Sequence, residues 1–110
     1  MSDASLHFTG SELKKFLEEH PKDLVLIDFY ADWCPHCQKF GPVLESVARS
    51  YRSKGVHVIK IDTDAEERAA RDWAVEVLPT WVVVRDGEEL ARVTGSAPQS
   101  EVEKLLKQYL

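Results

Sequence analysis

The two cysteines of this chain, Cys34 and Cys37, are separated by Pro35 and His36. Upstream of them, residues 24–30 form an apolar run of strand length. Downstream, apolar residues recur at helical spacing, at Phe40, Val43, Leu44, Val47, Ala48 and Tyr51. The sequence therefore predicts that the cysteine pair lies at the turn between a strand and a helix.

This placement makes the two thiols chemically unequal. The first backbone N–H groups of a helix have no partner within the helix, and the helix dipole places partial positive charge beside them. We therefore expect Cys34 to be an exposed nucleophile with a stabilised thiolate, whereas Cys37, one turn further on, feels less of this field. In this interpretation Cys34 attacks a substrate disulfide, and Cys37 then resolves the mixed disulfide.

Length and charge restrict the other possibilities. The 110 residues, 44% of them hydrophobic, suffice for one ordinary core, and we expect a single domain over residues 1–110. The net charge of -5 disfavours nucleic acid or an anionic membrane as a partner, because both select basic surfaces. The amino-terminal segment lacks a basic stretch followed by an apolar run, which favours a cytoplasmic protein that is not exported.

The periodicity of the remaining segments predicts the order β-α-β-α-β-α-β-β-α, which is an α/β arrangement. Right-handed crossovers would place the strand at residues 24–30 inside a mixed β-sheet with helices on both faces. The predicted elements are a strand at 5–8, a helix capped by Thr9 and Glu12 that stops at His20-Pro21, a strand at 56–61, a helix at 65–73, a hairpin of strands 80–84 and 90–93 around Asp86-Gly87, and a helix that opens near Pro98.

The motifs of this chain resemble those of the thioredoxin family, in the same order and spacing over nearly its whole length. A lone C-x-x-C is a weak signal, but one placed between a buried-strand aspartate and a later apolar-Pro-Thr segment is specific. The resemblance implies the thioredoxin fold, thiol–disulfide oxidoreductase activity and no cofactor beyond the redox-active disulfide. It is carried by Asp28 to Cys37, Pro42, Lys60-Ile61-Asp62, Leu78-Pro79-Thr80, Asp86-Gly87 and Gly95.

Two charged residues are predicted to assist the cysteines. Asp28 lies in the middle of an apolar strand, where burial should raise its pKa and allow it to take a proton from Cys37. Lys60 is the expected ionic neighbour of Asp28. The alternatives are that Asp28 is a satisfied structural aspartate and that Lys60 is an ordinary exposed strand lysine.

The resemblance also implies a surface that binds the substrate chain. Pro79 would follow a cis peptide bond, and the backbone of Leu78 would pair with a substrate strand extended past Cys34. Trp33 would form an apolar wall beside the nucleophile, and Gly95 would allow a partner to approach closely. Trp73 and Trp81 are expected to be packing residues.

The chain departs from the usual thioredoxin pattern between the cysteines, where thioredoxins typically carry Gly-Pro. Its Pro35-His36 pair is similar to that of the DsbA-like disulfide oxidants. His36 could donate a hydrogen bond or a charge to the Cys34 thiolate and so make the disulfide more oxidising, or it could point into solvent and tune little. The dipeptide thus favours an oxidant or isomerase, whereas the amino terminus favours a cytoplasmic reductase.

Three further points concern partners. We expect a monomer that reduces protein disulfides and receives electrons from a thioredoxin reductase or another dithiol donor, although Gln38 stands where a lysine is common. A metal site at Cys34, His36 and Cys37 is disfavoured, because the other histidines, at positions 7, 20 and 57, show no ligand spacing. A non-catalytic binding module is disfavoured because the cysteines, the buried acid and the proline are all present.

Overall fold

The computed structural model describes residues 4–110, which form a five-stranded mixed sheet with helices on both faces. This confirms the predicted fold class and element order. The single domain over residues 1–110 stays a prediction, and its first three residues lie outside the described part. The elements are β1 Leu6–His7, α1 Gly10–Glu19, β2 Leu24–Tyr30, α2 Pro35–Tyr51 followed by a 3₁₀ turn at Arg52–Lys54, β3 Val56–Asp62, α3 Glu67–Asp72, β4 Thr80–Arg85, β5 Glu88–Thr94 and α4 Gln99–Lys107.

The strand β2 occupies the centre of the sheet, whose order is β1-β3-β2-β4-β5. It runs parallel to β3 and antiparallel to β4, and β1 continues the parallel half of the sheet beside β3. The carboxyl end of β2 therefore opens directly into the segment that carries the cysteines. None of the helices formed by residues 4–110 has the length and apolar character that spanning a membrane requires.

Side chains of β2 alternate between two cores on opposite faces of the sheet. Leu24 and Leu26 pack with α2 and α4, whereas Val25, Ile27 and Phe29 pack with α1 and α3. All five are buried, which explains why the segment reads as one continuous apolar run. By the same alternation, the side chain of residue 28 lies on the face that carries α2.

Local sequence signals account for several element boundaries. The side chain of Thr9 accepts the N–H of Glu12, and the side chain of Glu12 accepts the N–H of Thr9, so the predicted capping box is confirmed. The β4–β5 hairpin turns at Asp86 and Gly87, whose φ angles are 58° and 70°. Both angles lie in the left-handed region that this tight turn requires, so the Asp-Gly signal is also confirmed.

The third helix is shorter than predicted. The sequence predicts a helix over 65–73, but α3 spans Glu67–Asp72. The carboxylate of Asp62 accepts the N–H of Asp64 at 3.0 Å. The backbone carbonyl oxygen of Asp62 accepts the N–H of Glu66 at 2.8 Å. These bonds hold the chain in a turn after β3 and delay the start of the helix.

Candidate active site

Cys34 is the N-cap residue of α2, and Pro35 is its first helical residue. The sulfur of Cys34 accepts the backbone N–H of Cys37 at 3.3 Å. Pro35 suits this position because it has no N–H to satisfy and its φ angle is already helical. The predicted placement of the pair at a strand-to-helix turn is confirmed, and both thiols are in the reduced form.

The prediction that Cys34 is exposed is wrong, because only 4% of its surface is accessible. Both cysteines pack against Ala31, and Tyr30 and Leu78 cover this small cluster. A substrate therefore has to contact the residues around Cys34 closely before it can reach the sulfur.

Cys37 is as buried as Cys34, at 4% exposure, and its thiol resists ionisation. Burial, followed by its hydrogen bond with Cys34, raises the pKa of the Cys37 thiol to about 12. The negative charge of Asp28 raises this pKa further. Cys37 therefore carries its proton at neutral pH and needs a base to become a thiolate.

Asp28 is a candidate for that base. Its side chain is buried, at 1% exposure, and in the sheet it is paired with Lys60 on β3 and Trp81 on β4. Neither carboxylate oxygen has a hydrogen-bond partner among residues 4–110. Burial raises the pKa of Asp28 to about 7, and the positive charge of Lys60 opposes this shift. The predicted rise in the pKa of Asp28 is confirmed, and a pKa of about 7 allows this acid to exchange its proton near neutral pH.

Lys60 lies near Asp28 in the register of the sheet, but its ammonium group contacts an aromatic ring. The Nζ atom lies 4.5 Å from the centroid of the Tyr30 ring, which is a cation–π contact. This contact was not predicted from the sequence. Asp28 and Tyr30 are two residues apart on β2 and so share one face of the sheet, and Lys60 is the partner of Asp28 on β3. The Tyr30 ring therefore helps to hold the ammonium on the face that carries Asp28.

Residues 78, 79 and 95 meet beside the nucleophile. The peptide bond between Leu78 and Pro79 is cis, which confirms the expectation from the family resemblance. The carbonyl oxygen of Leu78 accepts the Cys34 thiol at 3.9 Å, and the carbonyl oxygen of Pro79 accepts the N–H of Gly95 at 2.8 Å. Gly95 has a φ angle of 88°, so it also has a backbone reason to be glycine.

The exposed apolar surface beside the site includes one residue that sequence analysis missed. Trp33 is 66% exposed, and its indole N–H donates to Asp64 at 2.8 Å. Val77, next to Leu78, is 54% exposed. The sequence does contain a signal for Val77, because this residue immediately precedes the Leu-Pro-Thr segment that the family resemblance places beside the substrate. The predicted packing role of Trp81 is confirmed, because it is buried and lies 5.7 Å from Phe40.

Pro35 and His36 are both exposed on the first turn of α2. Within the described chain, His36 makes no hydrogen bond to Cys34, so the direct bond that the sequence suggested is not formed in this reduced state. Gln38, which stands where a lysine is common, donates instead to the carbonyl oxygen of Asp32 at 2.6 Å. An effect of His36 on the thiolate would therefore act through its charge.

One group of possible ligands forms far from the cysteines. The remaining histidines show no ligand spacing along the sequence, but the fold brings two of them together in space. The fold brings His20 and His57 together with Asp23, at the end of the sheet opposite Cys34. No local pattern could show this, because residues 20 and 57 meet through the pairing of β2 with β3.

Comparison with known proteins agrees with this site. The thioredoxin family model matches residues 4–108. Thioredoxin from Porphyra purpurea is 35% identical over 86 residues, covering 78% of this chain and 79% of the relative. Thioredoxin from Chlamydia trachomatis is 33% identical over 96 residues, covering 87% and 92%. The reduced thioredoxin of Schistosoma mansoni superimposes with a TM-score of 0.88 at 27% identity, covering 99% of this chain and all of that chain.

A reduced cysteine pair at the start of a helix, next to a buried acid and a cis proline, defines a thiol–disulfide oxidoreductase of the thioredoxin fold. The chain belongs to the thioredoxin family and acts as a thioredoxin. The family suggests protein disulfides as substrates and a reductase as a partner. The more oxidising enzyme and the non-catalytic module are not favoured.

Proposed function

We propose that this thioredoxin reduces protein disulfides with Cys34 as the nucleophile and Cys37 as the resolving thiol. The observation that carries the proposal is the asymmetry of the pair: the Cys34 sulfur accepts a helical N–H, whereas the Cys37 thiol is held protonated next to Asp28. In the first step, the Cys34 thiolate attacks one sulfur of the substrate disulfide. A bond forms between Cys34 and that sulfur, and the other substrate sulfur leaves as a thiolate.

In the second step, Asp28 takes the proton of the Cys37 thiol. The resulting thiolate attacks the Cys34 sulfur, forms the Cys34–Cys37 disulfide and releases the remaining substrate sulfur. The substrate gains two electrons and the protein loses two. Asp28 suits this role because its pKa of about 7 lets it accept a proton and return it at neutral pH. Lys60 positions this exchange by favouring the ionised carboxylate.

Substrate docking is assigned to the surface around Cys34. Trp33 and Val77 supply exposed apolar contacts, and the backbone of Leu78 offers hydrogen-bonding groups to an extended substrate strand. Pro79 and Gly95 fix the loop on which this backbone lies. Because Cys34 itself is buried, these contacts decide which disulfides reach its sulfur.

Pro35 and His36 are assigned to tuning the redox potential. A positive charge on His36, two residues from Cys34, would stabilise the thiolate and therefore the reduced form. The disulfide would then be more oxidising than one with an uncharged dipeptide. The Cys-Pro-His-Cys sequence thus adjusts the redox potential of the cysteine pair, and the protein still functions as a reductase.

The remaining assignments concern the setting of the reaction. The redox-active disulfide carries the electrons without a further cofactor, and a thioredoxin reductase or another dithiol donor restores the dithiol. The protein works as a monomer. Its cytoplasmic location, and the absence of nucleic acid and membranes among its partners, stay predictions.

The assignment of the two cysteines is tested with Cys34→Ser and Cys37→Ser variants and a model protein disulfide. Cys34→Ser should abolish reduction, because no nucleophile remains. Cys37→Ser should attack once and accumulate a mixed disulfide, visible by mass spectrometry and released by added dithiol. Equal residual turnover in both variants would refute the assignment.

A further inference from the structure

Three polar side chains form a compact cluster at the end of the sheet opposite the cysteines. One carboxylate oxygen of Asp23 lies 3.4 Å from Nδ1 of His20 and 2.8 Å from Nε2 of His57. One possible ligand atom from each of the three residues lies within 4.8 Å of the other two. We propose that this His20–Asp23–His57 cluster binds a borderline divalent cation of the zinc type.

The donor set matches that class of ion. Imidazole nitrogens suit Zn²⁺, Ni²⁺ and Cu²⁺, and Zn²⁺ also accepts a carboxylate oxygen. Zinc–ligand bonds of about 2.0–2.1 Å place neighbouring ligands of a tetrahedron about 3.4 Å apart. The His20–Asp23 distance already has this value. Three protein ligands would leave one tetrahedral position for water.

The backbone holds the three ligands in place from two independent directions. His20 is the C-cap of α1, where its N–H donates to the Phe16 carbonyl at 2.9 Å, and its own carbonyl accepts the N–H of Asp23 at 3.3 Å. These bonds fix the turn that carries His20 and Asp23. His57 comes from β3, where it is paired with Val25 just after that turn. The cluster therefore does not depend on a mobile loop.

Phe16 forms an apolar backing for both imidazole rings. Its ring stacks on the His20 ring, with the two centroids 4.2 Å apart. It contacts the His57 ring in a T-shaped arrangement, with the centroids 5.0 Å apart. The three ligands are all half-buried, with exposed side-chain fractions of 40%, 39% and 28% for His20, Asp23 and His57. An ion can thus enter from solvent while the rings stay oriented. Side-chain shifts on the order of 1 Å would complete tetrahedral spacing.

Binding would connect three elements that are distant in the sequence. The ligands join the end of α1, the entry to β2 and the start of β3. A ligand that binds the folded chain and not the unfolded one raises stability with its concentration. The site would therefore stabilise the end of the molecule that lies about 20 Å along β2 from the cysteines.

The test is a titration of the untagged, oxidised protein with Zn²⁺ by isothermal calorimetry. The Cys34–Cys37 disulfide removes the thiols as competing ligands. We expect one saturable equivalent and a thermal unfolding midpoint that increases with Zn²⁺ concentration. Co²⁺ in place of Zn²⁺ should give the visible absorption of a tetrahedral site.

Matched variants identify the ligands. His20→Gln, Asp23→Asn and His57→Gln should each weaken Zn²⁺ binding at least tenfold, whereas His7→Gln should leave the affinity unchanged. Circular dichroism without metal checks that each variant is folded, and His20, whose side chain is more exposed than that of His57, keeps the test valid if His57→Gln unfolds. No saturable binding by the parent protein, or equal affinity in His20→Gln and His7→Gln, would overturn the proposal.

Discussion

The carboxyl group of Asp28 connects the chemistry of this protein to its stability. Burial raises its pKa from 3.8 to about 7, so between these values the folded protein holds a proton that the unfolded chain has released. The free energy of unfolding therefore decreases as the pH rises through this range, and the loss is complete above the folded pKa. A residue retained at this cost to stability is consistent with its assignment as a proton acceptor.

Asp28→Asn should remove this pH dependence. A rise in pKa from 3.8 to about 7 corresponds to roughly 4 kcal/mol. Between pH 4 and pH 8 the parent should therefore lose about that much more stability than the variant. Urea unfolding of the oxidised proteins at both pH values measures the difference. Asp72→Asn, at an exposed position on α3, is the control and should behave like the parent. The idea fails if Asp28→Asn shows the same pH dependence as the parent.

His36→Gln tests the tuning of the redox pair. The imidazole of His36, when protonated, would place a positive charge near Cys34, so its removal should destabilise the thiolate and lower the reduction potential by on the order of 10–30 mV, since 30 mV corresponds to about 1.4 kcal/mol for this couple. Equilibration with a glutathione redox buffer at pH 7 measures the potential. His20→Gln, at the end of the sheet opposite the cysteines, is the control. An unchanged or higher potential in His36→Gln would show that His36 does not tune the pair.

At the scale of single residues, the sequence could identify chemistry but not surroundings. Cys34, Cys37, Asp28 and Pro79 are recognisable because their residue types and spacing are unusual for a strand or a turn. The burial of Cys34 could not be predicted, because Leu78 covers it from a segment more than 40 positions away. The bond from Trp33 to Asp64 depends on the same long-range folding.

At the scale of elements, local signals were sufficient wherever neighbouring residues decide the structure. The capping box of α1 and the Asp86-Gly87 turn are both interactions within four residues. The start of α3 was predicted too early because Asp62 offers the backbone alternative hydrogen bonds. Such a local competition cannot be resolved from helix propensity alone.

Thr9→Ala should destabilise α1. The substitution removes the side-chain oxygen that accepts the N–H of Glu12, and the loss of such a cap lowers the free energy of unfolding by about 1 kcal/mol. Urea unfolding measures the change. Ser11→Ala is the control. Ser11 lies two residues after Thr9 at an exposed position of α1, and its substitution should change stability by less than half as much. Equal stability of Thr9→Ala and the parent would show that the capping box contributes nothing.

At the scale of the molecule, exposed apolar surface is sparse within residues 4–110. The large apolar side chains that are mostly exposed are Trp33, Val77 and Leu110, and the first two lie next to the cysteine site. The edge strand β5 carries charged residues such as Glu89 and Arg92, which form an ion pair at 2.8 Å and oppose strand addition. These features favour a monomer that contacts its partners through the surface around the cysteines.

We expect the oxidised protein to sediment as a monomer of 12.5 kDa at micromolar concentrations. Analytical ultracentrifugation measures its mass, and Trp33→Ser is the informative comparison. A dimer that disappears in Trp33→Ser would show that the exposed indole joins two copies. A dimer that persists in both proteins would point to another interface and contradict the expectation.

The alternation of β2 between two cores imposes an odd–even rule on the length of this part of the chain. One residue inserted between Leu24 and Asp28 would exchange the partners of the two cores and turn the carboxyl group towards α1, away from Cys37. The hairpin turn is also held at one point, because the N–H of Asp86 donates to the carbonyl oxygen of Pro21 at 2.8 Å. Relatives of this protein should therefore keep the spacing from Asp28 to the cysteines unchanged.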